Sequence, residues 1–213
     1  GIGCMTKDDP YYIGAIGCLG EGSSNSLSKD TDLALAIGTK LGDFTTGSWS
    51  NFQNEDFKLV SINTARFDVT KHLATPVISD AKIGLLELSK ALGDWRAPNN
   101  WYERSIDERK KWDSYVEKQS GPTNQELPSY AHAVGAVYRN ADPSDIVVTA
   151  AGGLVGEVVQ IWKPKELNTF ETEWGFSCMG YEISGALGIK MAKPNQDVIV
   201  FVGDGSYLLN NSD

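Results

Sequence analysis

Short runs of apolar residues, separated by glycines and polar segments, recur along the chain. Uninterrupted apolar runs of this length predict strands of a parallel sheet that are buried on both faces. In the first part of the chain we expect strands at Asp32–Ile37, Lys58–Asn63 and Pro76–Ser79. The apolar spacing in Lys82–Leu92 predicts a helix. Its inward-facing side chains are expected to be Ile83, Leu86 and either Leu88 or Leu92.

The second part of the chain continues this alternation. A helix is expected from Pro128 to Arg139, and Asp145–Gly153 predicts a strand that ends in a glycine pair. From Ile183 onward the sequence predicts a helix, which Pro194 ends. A strand then begins near Asp197. Close packing of that helix on a sheet is expected at its small residues, Ser184, Gly185, Ala186 and Gly188.

These patterns predict an α/β fold with two parallel-sheet domains, at residues 1–92 and 128–213. Residues 93–127 are expected to be a polar connector. They contain a charged helix around Ile106–Val116, followed by Ser-Gly-Pro and Leu-Pro turn signals. The run Asp107–Lys111 is most simply a solvated helix face.

The apolar run Val198–Val202 stops at Gly203-Asp204-Gly205-Ser206, which is the strongest chemical signal in the chain. We expect the glycines to let the backbone turn sharply and approach a ligand closely. A carboxylate at the end of a buried strand suits a hard cation such as Mg2+, and Ser206 can offer a hydroxyl or an amide to a phosphate. The alternative is an ordinary turn, because Asp-Gly is a common turn dipeptide.

Two more glycine-containing loops, Gly152-Gly153 and Gly175–Gly180, are expected beside this one, where ligands of open parallel sheets bind. In their order and spacing the three loops resemble the diphosphate-binding domain of thiamine-diphosphate enzymes. The nearest broad group is the acetolactate synthase and pyruvate oxidase branch. Within the family, Glu173–Glu182 together with Gly203–Leu208 resembles the cyclic 1,2-dione hydrolases of myo-inositol breakdown.

The resemblance implies thiamine diphosphate and Mg2+ as cofactors, with Asp204 as a metal ligand. Met179 would lie beneath the bent cofactor, although a lone methionine beside a helix start is more typical of a core. The residues implied near the diphosphate are Gly152, Gly153, Gly205 and Ser206. The backbone implied to face the aminopyrimidine is that of Gly175, Phe176, Ser177 and Cys178.

The resemblance also implies parts that this chain does not contain. The family's second metal ligand, an asparagine, follows the aspartate later in the chain, and its activating glutamate belongs to an N-terminal domain. Asn210 and Asn211 lie too close to Asp204, because a crossover to the next parallel strand needs about a dozen residues. We interpret them as part of the helix after the metal loop. No catalytic residue is therefore assigned here.

We therefore expect an internal piece of a longer enzyme. In it, residues 1–92 would be a truncated Rossmann-like central domain. Residues 128–213 would be the first part of the domain that binds thiamine diphosphate.

Composition and charge indicate which classes of partner and which cellular compartment to expect. Nineteen basic residues against 28 acidic ones give a net charge of −9, so neither nucleic acid nor an anionic membrane is an expected partner. Three scattered cysteines favour a reducing, cytoplasmic setting and no metal cluster. A nucleophilic role for Cys178 is disfavoured, because His72 and His132 are distant in sequence.

The leading hypothesis is a fragment of a ring-opening hydrolase that acts on a small cyclic dione, in a homodimer or homotetramer. The alternatives are an acetolactate-synthase-like or decarboxylase member of the family, and a non-catalytic fragment with a structural role only. Glu173 could reach the cofactor or lie on the surface. Gly14–Gly22 is a weak nucleotide-binding signal, because it departs from Gly-x-Gly-x-x-Gly and no strand is expected before it.

Overall fold

Two three-stranded parallel sheets organise the chain, one in each of its two units. The computed structural model describes residues 2–173 and 175–212. One unit comprises Ile16–Lys111, and the other combines Gly1–Ala15 with Trp112–Asp213. The outer ends of the expected domains at residues 1 and 213, and the motif position Trp174, lie outside the described residues. The expected domain boundaries, at 92/93 and 127/128, stay predictions.

The unit formed by Ile16–Lys111 has strand order β1-β2-β3, with every pairing parallel. The three strands predicted in this part of the chain are confirmed to within a residue or so at each end. Its elements are α1 (Gly22–Asp30), β1 (Leu33–Ile37), α2 (Asp43–Thr46), β2 (Lys58–Asn63), α3 (Arg66–Val69), a 3-10 turn (Lys71–Leu73), β3 (Thr75–Ile78), α4 (Ala81–Leu92) and the first part of α5 (Asn99–Ser120).

Burial in this sheet differs from the prediction. The central strand β2 has three buried positions, but β1 has one and β3 has none. The expectation that all three strands are buried is therefore wrong for β1 and β3, because they are the two edge strands. The core of this unit is a small cluster around Ala36, Leu59 and Ala74.

The inward face of α4 also differs from the prediction. Gly84 is its buried residue and Leu88 is half-buried, as one of the two predicted alternatives, whereas the side chains of Ile83, Leu86 and Leu92 are exposed. A Cβ added to Gly84 would lie 2.8 Å from Cγ2 of Ile62 on β2. The helix therefore turns its glycine toward the sheet, since only a residue without a side chain fits so close to Ile62.

The other unit has strand order β5-β4-β6, again with every pairing parallel. The predicted α/β class is thus confirmed. The elements are α6 (Tyr130–Asn140), β4 (Ile146–Thr149), α7 (Leu154–Ile161), β5 (Phe170–Thr172), α8 (Tyr181–Ala192), β6 (Val198–Val200) and α9 (Asp204–Leu209). All four residues of β4 are buried. The sequence analysis did not identify α7 or β5.

Helix α8 packs on the sheet through one of its four small residues. Ala186 is buried against Ile146 and Val148 of β4. Gly188 and Ser184 are exposed, and a Cβ added to Gly188 would meet nothing within 4 Å. The close contact predicted for the whole group is therefore made by Ala186.

Among the described residues, no helix has the length and apolar character that a membrane crossing requires.

The two helix glycines provide a matched test of this packing. We expect Gly84→Ala to destabilise the protein by about 1–3 kcal/mol, because the stiff β-branched Ile62 cannot move aside. Gly188→Ala should instead be neutral or stabilise by up to about 1 kcal/mol, since alanine is the better helix former. Urea unfolding of both variants beside the wild type measures the difference. Equal effects of the two substitutions would contradict the packing described for α4.

Candidate functional site

Three loops meet at the carboxyl ends of the strands in the sheet formed by β5, β4 and β6. Thr149 pairs with Thr172, and Val148 pairs with Val200, so the three strands end close to the same level. Because the pairing is parallel, the loops after the strands all leave on the same side. The predicted segments 152–153, 175–180 and 203–206 therefore belong to one region. Ligands of open parallel sheets bind outside these carboxyl ends of the strands.

Asp204 is the first residue of α9 and is exposed. Its Oδ1 accepts a hydrogen bond of 2.9 Å from the amide of Gly205. Neither Gly203 nor Gly205 has a positive φ, so the expectation of a sharp turn that needs glycine is wrong. A Cβ added to either glycine would meet nothing within 4 Å. The glycines instead leave open space on both sides of the carboxylate.

The glycine pair after β4 is also open. Gly152 has a φ of +83°, a conformation that favours glycine, and Gly153 is the N-cap residue of α7. Both are exposed, and a Cβ added to either would meet nothing within 4 Å. The backbone here is accessible to a ligand.

The carboxylate of Glu182, at the start of α8, connects the three loops. Its Oε1 accepts a hydrogen bond from the amide of Ala151 at 3.0 Å. Its Oε2 accepts from the amide of Gly180 at 3.1 Å and from the hydroxyl of Ser206 at 2.8 Å. Glu182 was noticed in the sequence only as part of a motif. The available signal was an acidic residue in the first turn of a helix made of small and apolar residues.

The hydroxyl of Ser206 is occupied within the protein. It donates to Glu182 and accepts a hydrogen bond of 2.8 Å from the amide of Gly180. The residue is buried. Its predicted place near a diphosphate remains untested, and the geometry leaves its backbone, rather than its hydroxyl, for such a contact.

Gly180 is held closely by the segment after α9. Its φ is +95°, and an added Cβ would lie 2.7 Å from the Cβ of Asn210. The side-chain amide of Asn210 donates to the carbonyl oxygen of Gly180 at 3.3 Å. Asn210 is the C-cap of α9 and Asn211 follows it, so the interpretation of both as helical residues is wrong. Asn210 supports the loop before α8, a role that sequence reasoning missed.

Glu173 holds the middle of the exposed loop between β5 and α8. Its Oε1 accepts a hydrogen bond of 3.0 Å from the amide of Phe176, and its Oε2 accepts one of 2.8 Å from the amide of Cys178. These N–H groups, foremost that of Cys178, hold the pKa of the Glu173 carboxyl below its ordinary value. Glu173 therefore fixes the shape of the loop, a role that neither of its sequence interpretations included.

Residues 175–179 of this loop face solvent. Met179 is 59% exposed, so it is not the core methionine that its position alone would suggest. Ser177 has a φ of +53°. Loss of hydration, and then the charge of Glu173, raise the pKa of the Cys178 thiol. A raised pKa disfavours the thiolate that a nucleophilic cysteine requires.

Two other features considered in the sequence are groups of metal-binding side chains and the glycine-rich segment Gly14–Gly22. Within the described residues, no group of three or more His, Cys, Asp or Glu side chains is arranged to hold a metal. In the glycine-rich segment before α1, both backbone polar atoms of Gly17 are hydrogen-bonded to the side chain of Asn25, at 2.8 and 2.9 Å. An added Cβ at Gly17 would lie 2.1 Å from the carbonyl oxygen of Phe44. This glycine therefore serves local packing.

Comparison with known protein families covers both ends of the chain. Residues 1–88 match the family model described as "Thiamine pyrophosphate enzyme, central domain". Residues 150–213 match the one described as "Thiamine pyrophosphate enzyme, C-terminal TPP binding domain". The second match contains all three loops and the carboxylates of Glu173 and Glu182, which accept hydrogen bonds from them.

Several curated relatives share one specific name. The "3D-(3,5/4)-trihydroxycyclohexane-1,2-dione hydrolase" of Geobacillus thermodenitrificans (strain NG80-2) is 34% identical over 237 residues, which cover 100% of this chain and 36% of that protein. Proteins of the same name from Bacillus anthracis and Bacillus cereus (strain AH820) are 33% identical, with 100% of this chain and 37% of each relative covered. The chain thus spans a little over a third of the length of the curated relatives it matches.

The lowered pKa of Glu173 leads to a pH-dependent prediction. A folded-state pKa below the unfolded value stabilises the protein fully above about pH 4.3, the ordinary value for glutamate, and the contribution disappears as the pH falls through the folded-state pKa. Glu173→Gln should therefore cost roughly 1 kcal/mol at pH 6 and less than that at pH 3. Chemical unfolding at both pH values measures this difference. The exposed Glu171→Gln is the control, and a cost that does not change with pH would contradict the role of the ionised carboxylate.

Proposed function

The chain belongs to the thiamine pyrophosphate enzymes, and from this premise we propose that it forms part of a 3D-(3,5/4)-trihydroxycyclohexane-1,2-dione hydrolase. Such an enzyme would act in the breakdown of myo-inositol. The main support is the convergence of three glycine-containing loops at one sheet edge, inside the segment that matches the TPP-binding domain. The name of the relatives, at 33–34% identity over the whole chain, supports the choice of substrate.

The proposed reaction cleaves the carbon–carbon bond between the two carbonyl carbons of the cyclic dione. Water supplies a hydroxyl to one carbonyl carbon, which becomes a carboxylic acid, and a hydrogen to the other, which becomes an aldehyde. The ring therefore opens to an acyclic deoxy-uronic acid without any external oxidant. When bound, thiamine diphosphate supplies the nucleophilic carbon for this chemistry. The residues described here bind and orient the cofactor.

Mg2+ is the proposed partner of Asp204. The loops and helices around the site contain no Lys, Arg or His in residues 150–162, 173–189 and 198–212, but they contain Glu157, Glu173, Glu182 and Asp204. An anionic diphosphate bound there would be repelled unless a cation accompanied it. A hard divalent ion, which the exposed carboxylate of Asp204 would hold, would meet this requirement by balancing the diphosphate charge.

The rest of the cofactor can be assigned to the open surfaces of the same edge. The backbone of Gly152 and Gly153 is accessible, and we assign the diphosphate to it and to the segment Asp204–Ser206. The exposed Met179 is assigned to the apolar support of the cofactor, and the backbone of 175–178 to the aminopyrimidine. The protein as a whole is proposed to be a cytoplasmic homodimer or homotetramer, with a small cyclic dione as substrate and without nucleic-acid or membrane partners.

Removing the Asp204 carboxylate tests the cofactor assignment. In the hydrolase that contains this chain, we expect Asp204→Ala to raise the Kd for thiamine diphosphate with Mg2+ about 100-fold or more, since loss of a supporting residue around a metal alone costs 10–100-fold. Calorimetric titration gives the Kd. The matched control is Asp197→Ala, which removes an exposed carboxylate at the opposite end of β6, where it pairs with Lys190. Unchanged cofactor affinity in Asp204→Ala would reject the assignment.

A substrate comparison tests the reaction. We expect the hydrolase to consume the cyclic dione and to form one ring-opened acid per dione, which NMR of the product identifies. Pyruvate should not be consumed. If pyruvate were consumed and the dione were not, an acetolactate-synthase-like or decarboxylase activity would replace the proposal. If neither were consumed by a protein that binds the cofactor, another substrate class would be required.

A further inference from the structure

Glu182 is a charged side chain with no solvent exposure. Its two oxygens accept three hydrogen bonds, from the amides of Ala151 and Gly180 and from the hydroxyl of Ser206, at 2.8 to 3.1 Å. Burying a carboxylate is costly unless donors surround it. An apolar side chain of similar size would fill the same volume without that cost. The presence of the carboxylate therefore has to be explained by what its three donors have in common.

The three donors come from different parts of the site. Ala151 precedes the glycine pair after β4, Gly180 ends the loop that starts after β5, and Ser206 lies in the first turn of α9. The donors are separated from Glu182 by 31, 2 and 24 positions in sequence. One carboxylate therefore fixes the relative positions of the three segments to which the cofactor contacts are assigned.

Two of the three segments are joined through Glu182 by a closed ring of hydrogen bonds, and the third is joined by a single bond to Oε1. The amide of Gly180 reaches both Glu182 and the hydroxyl of Ser206, while that hydroxyl also donates to Glu182. A shift of either the Gly180 or the Ser206 segment would therefore leave polar groups of the other unpaired, and a shift of the Ala151 segment would leave its amide and Oε1 of Glu182 unpaired. Unpaired buried polar groups are strongly unfavourable, so the segments are expected to move together or not at all.

We propose that Glu182 is a positioning residue, which couples the three loops into one rigid unit and thereby sets the affinity for the cofactor. This inference rests on the proposed function for the identity of the ligand, but the coupling itself does not. We assign Glu182 no catalytic role, since its side chain has no solvent-accessible surface at which a substrate could touch it. It acts through the backbone of the loops that it holds.

Hydrogen exchange in the absence of cofactor tests the coupling. In Glu182→Leu we expect the hydrogen-bonded amides of Ala151, Gly180 and, in α9, Tyr207 to exchange faster together, each by roughly tenfold or more, which corresponds to the loss of one such interaction. Glu182→Gln keeps one acceptor oxygen and should restore part of the protection, and it provides the same test if Glu182→Leu does not fold. Val134→Ala is the control, because it removes buried packing in α6, which contributes no loop to the site.

Calorimetric titration with thiamine diphosphate and Mg2+ tests the consequence. We expect the Kd to rise at least roughly tenfold in Glu182→Leu, less in Glu182→Gln, and not at all in Val134→Ala at equal loss of thermal stability. Faster exchange in only one segment, or equally in Val134→Ala, would overturn the coupling. Wild-type affinity in Glu182→Leu would overturn the positioning role. If the wild type did not bind the cofactor but its loops were coupled, the proposed function would fail and the coupling would stand.

Discussion

The site depends on the parallel pairing of β4 with strands on both of its sides. This pairing brings the carboxyl ends of β5, β4 and β6 to the same side of the sheet, so that loops distant in sequence become neighbours. A slip of one residue would move a loop by about 3.3 Å along the strand. That distance is as large as a hydrogen bond, so Glu182 could no longer reach both Ala151 and Gly180. Complete burial of β4 prevents such a slip, because the same residues would lose their packing.

The strands that the sequence predicts well are those with continuous apolar runs. β2 has the predicted bounds, and β4 lies inside its predicted run. β5 was not identified, because only Phe170 of its three residues is buried and Glu171 and Thr172 interrupt any apolar pattern. The inward face of α4 was predicted wrongly at Ile83 and Leu86 for a related reason. Apolar periodicity identifies large side chains, whereas this helix contacts the sheet through Gly84.

In the site, the sequence identified residues that mark a loop but not those that hold it. Asp204 and the glycine pair after β4 stand out because their residue types are unusual at the end of an apolar run. Glu182 and Asn210 act through hydrogen bonds to backbone groups on other segments, and such bonds leave no periodic or compositional trace. Gly203 and Gly205 were expected to allow a sharp turn, but neither has a positive φ, and a Cβ added to either would meet nothing within 4 Å. A sequence cannot distinguish a glycine required by its φ from one that leaves space open.

The distribution of backbone donors divides the site into two regions. The amides of Phe176 and Cys178 are bound by Glu173, and that of Gly180 by Glu182, so the loop after β5 has few N–H groups left for an anion. The amides of Gly152 and Gly153, in contrast, donate to no group in the described part of the chain. An anionic ligand end is therefore favoured at the loops after β4 and β6. An uncharged ring is favoured near the loop after β5, where three amides are already bound by carboxylates and Phe176 and Met179 expose apolar surface.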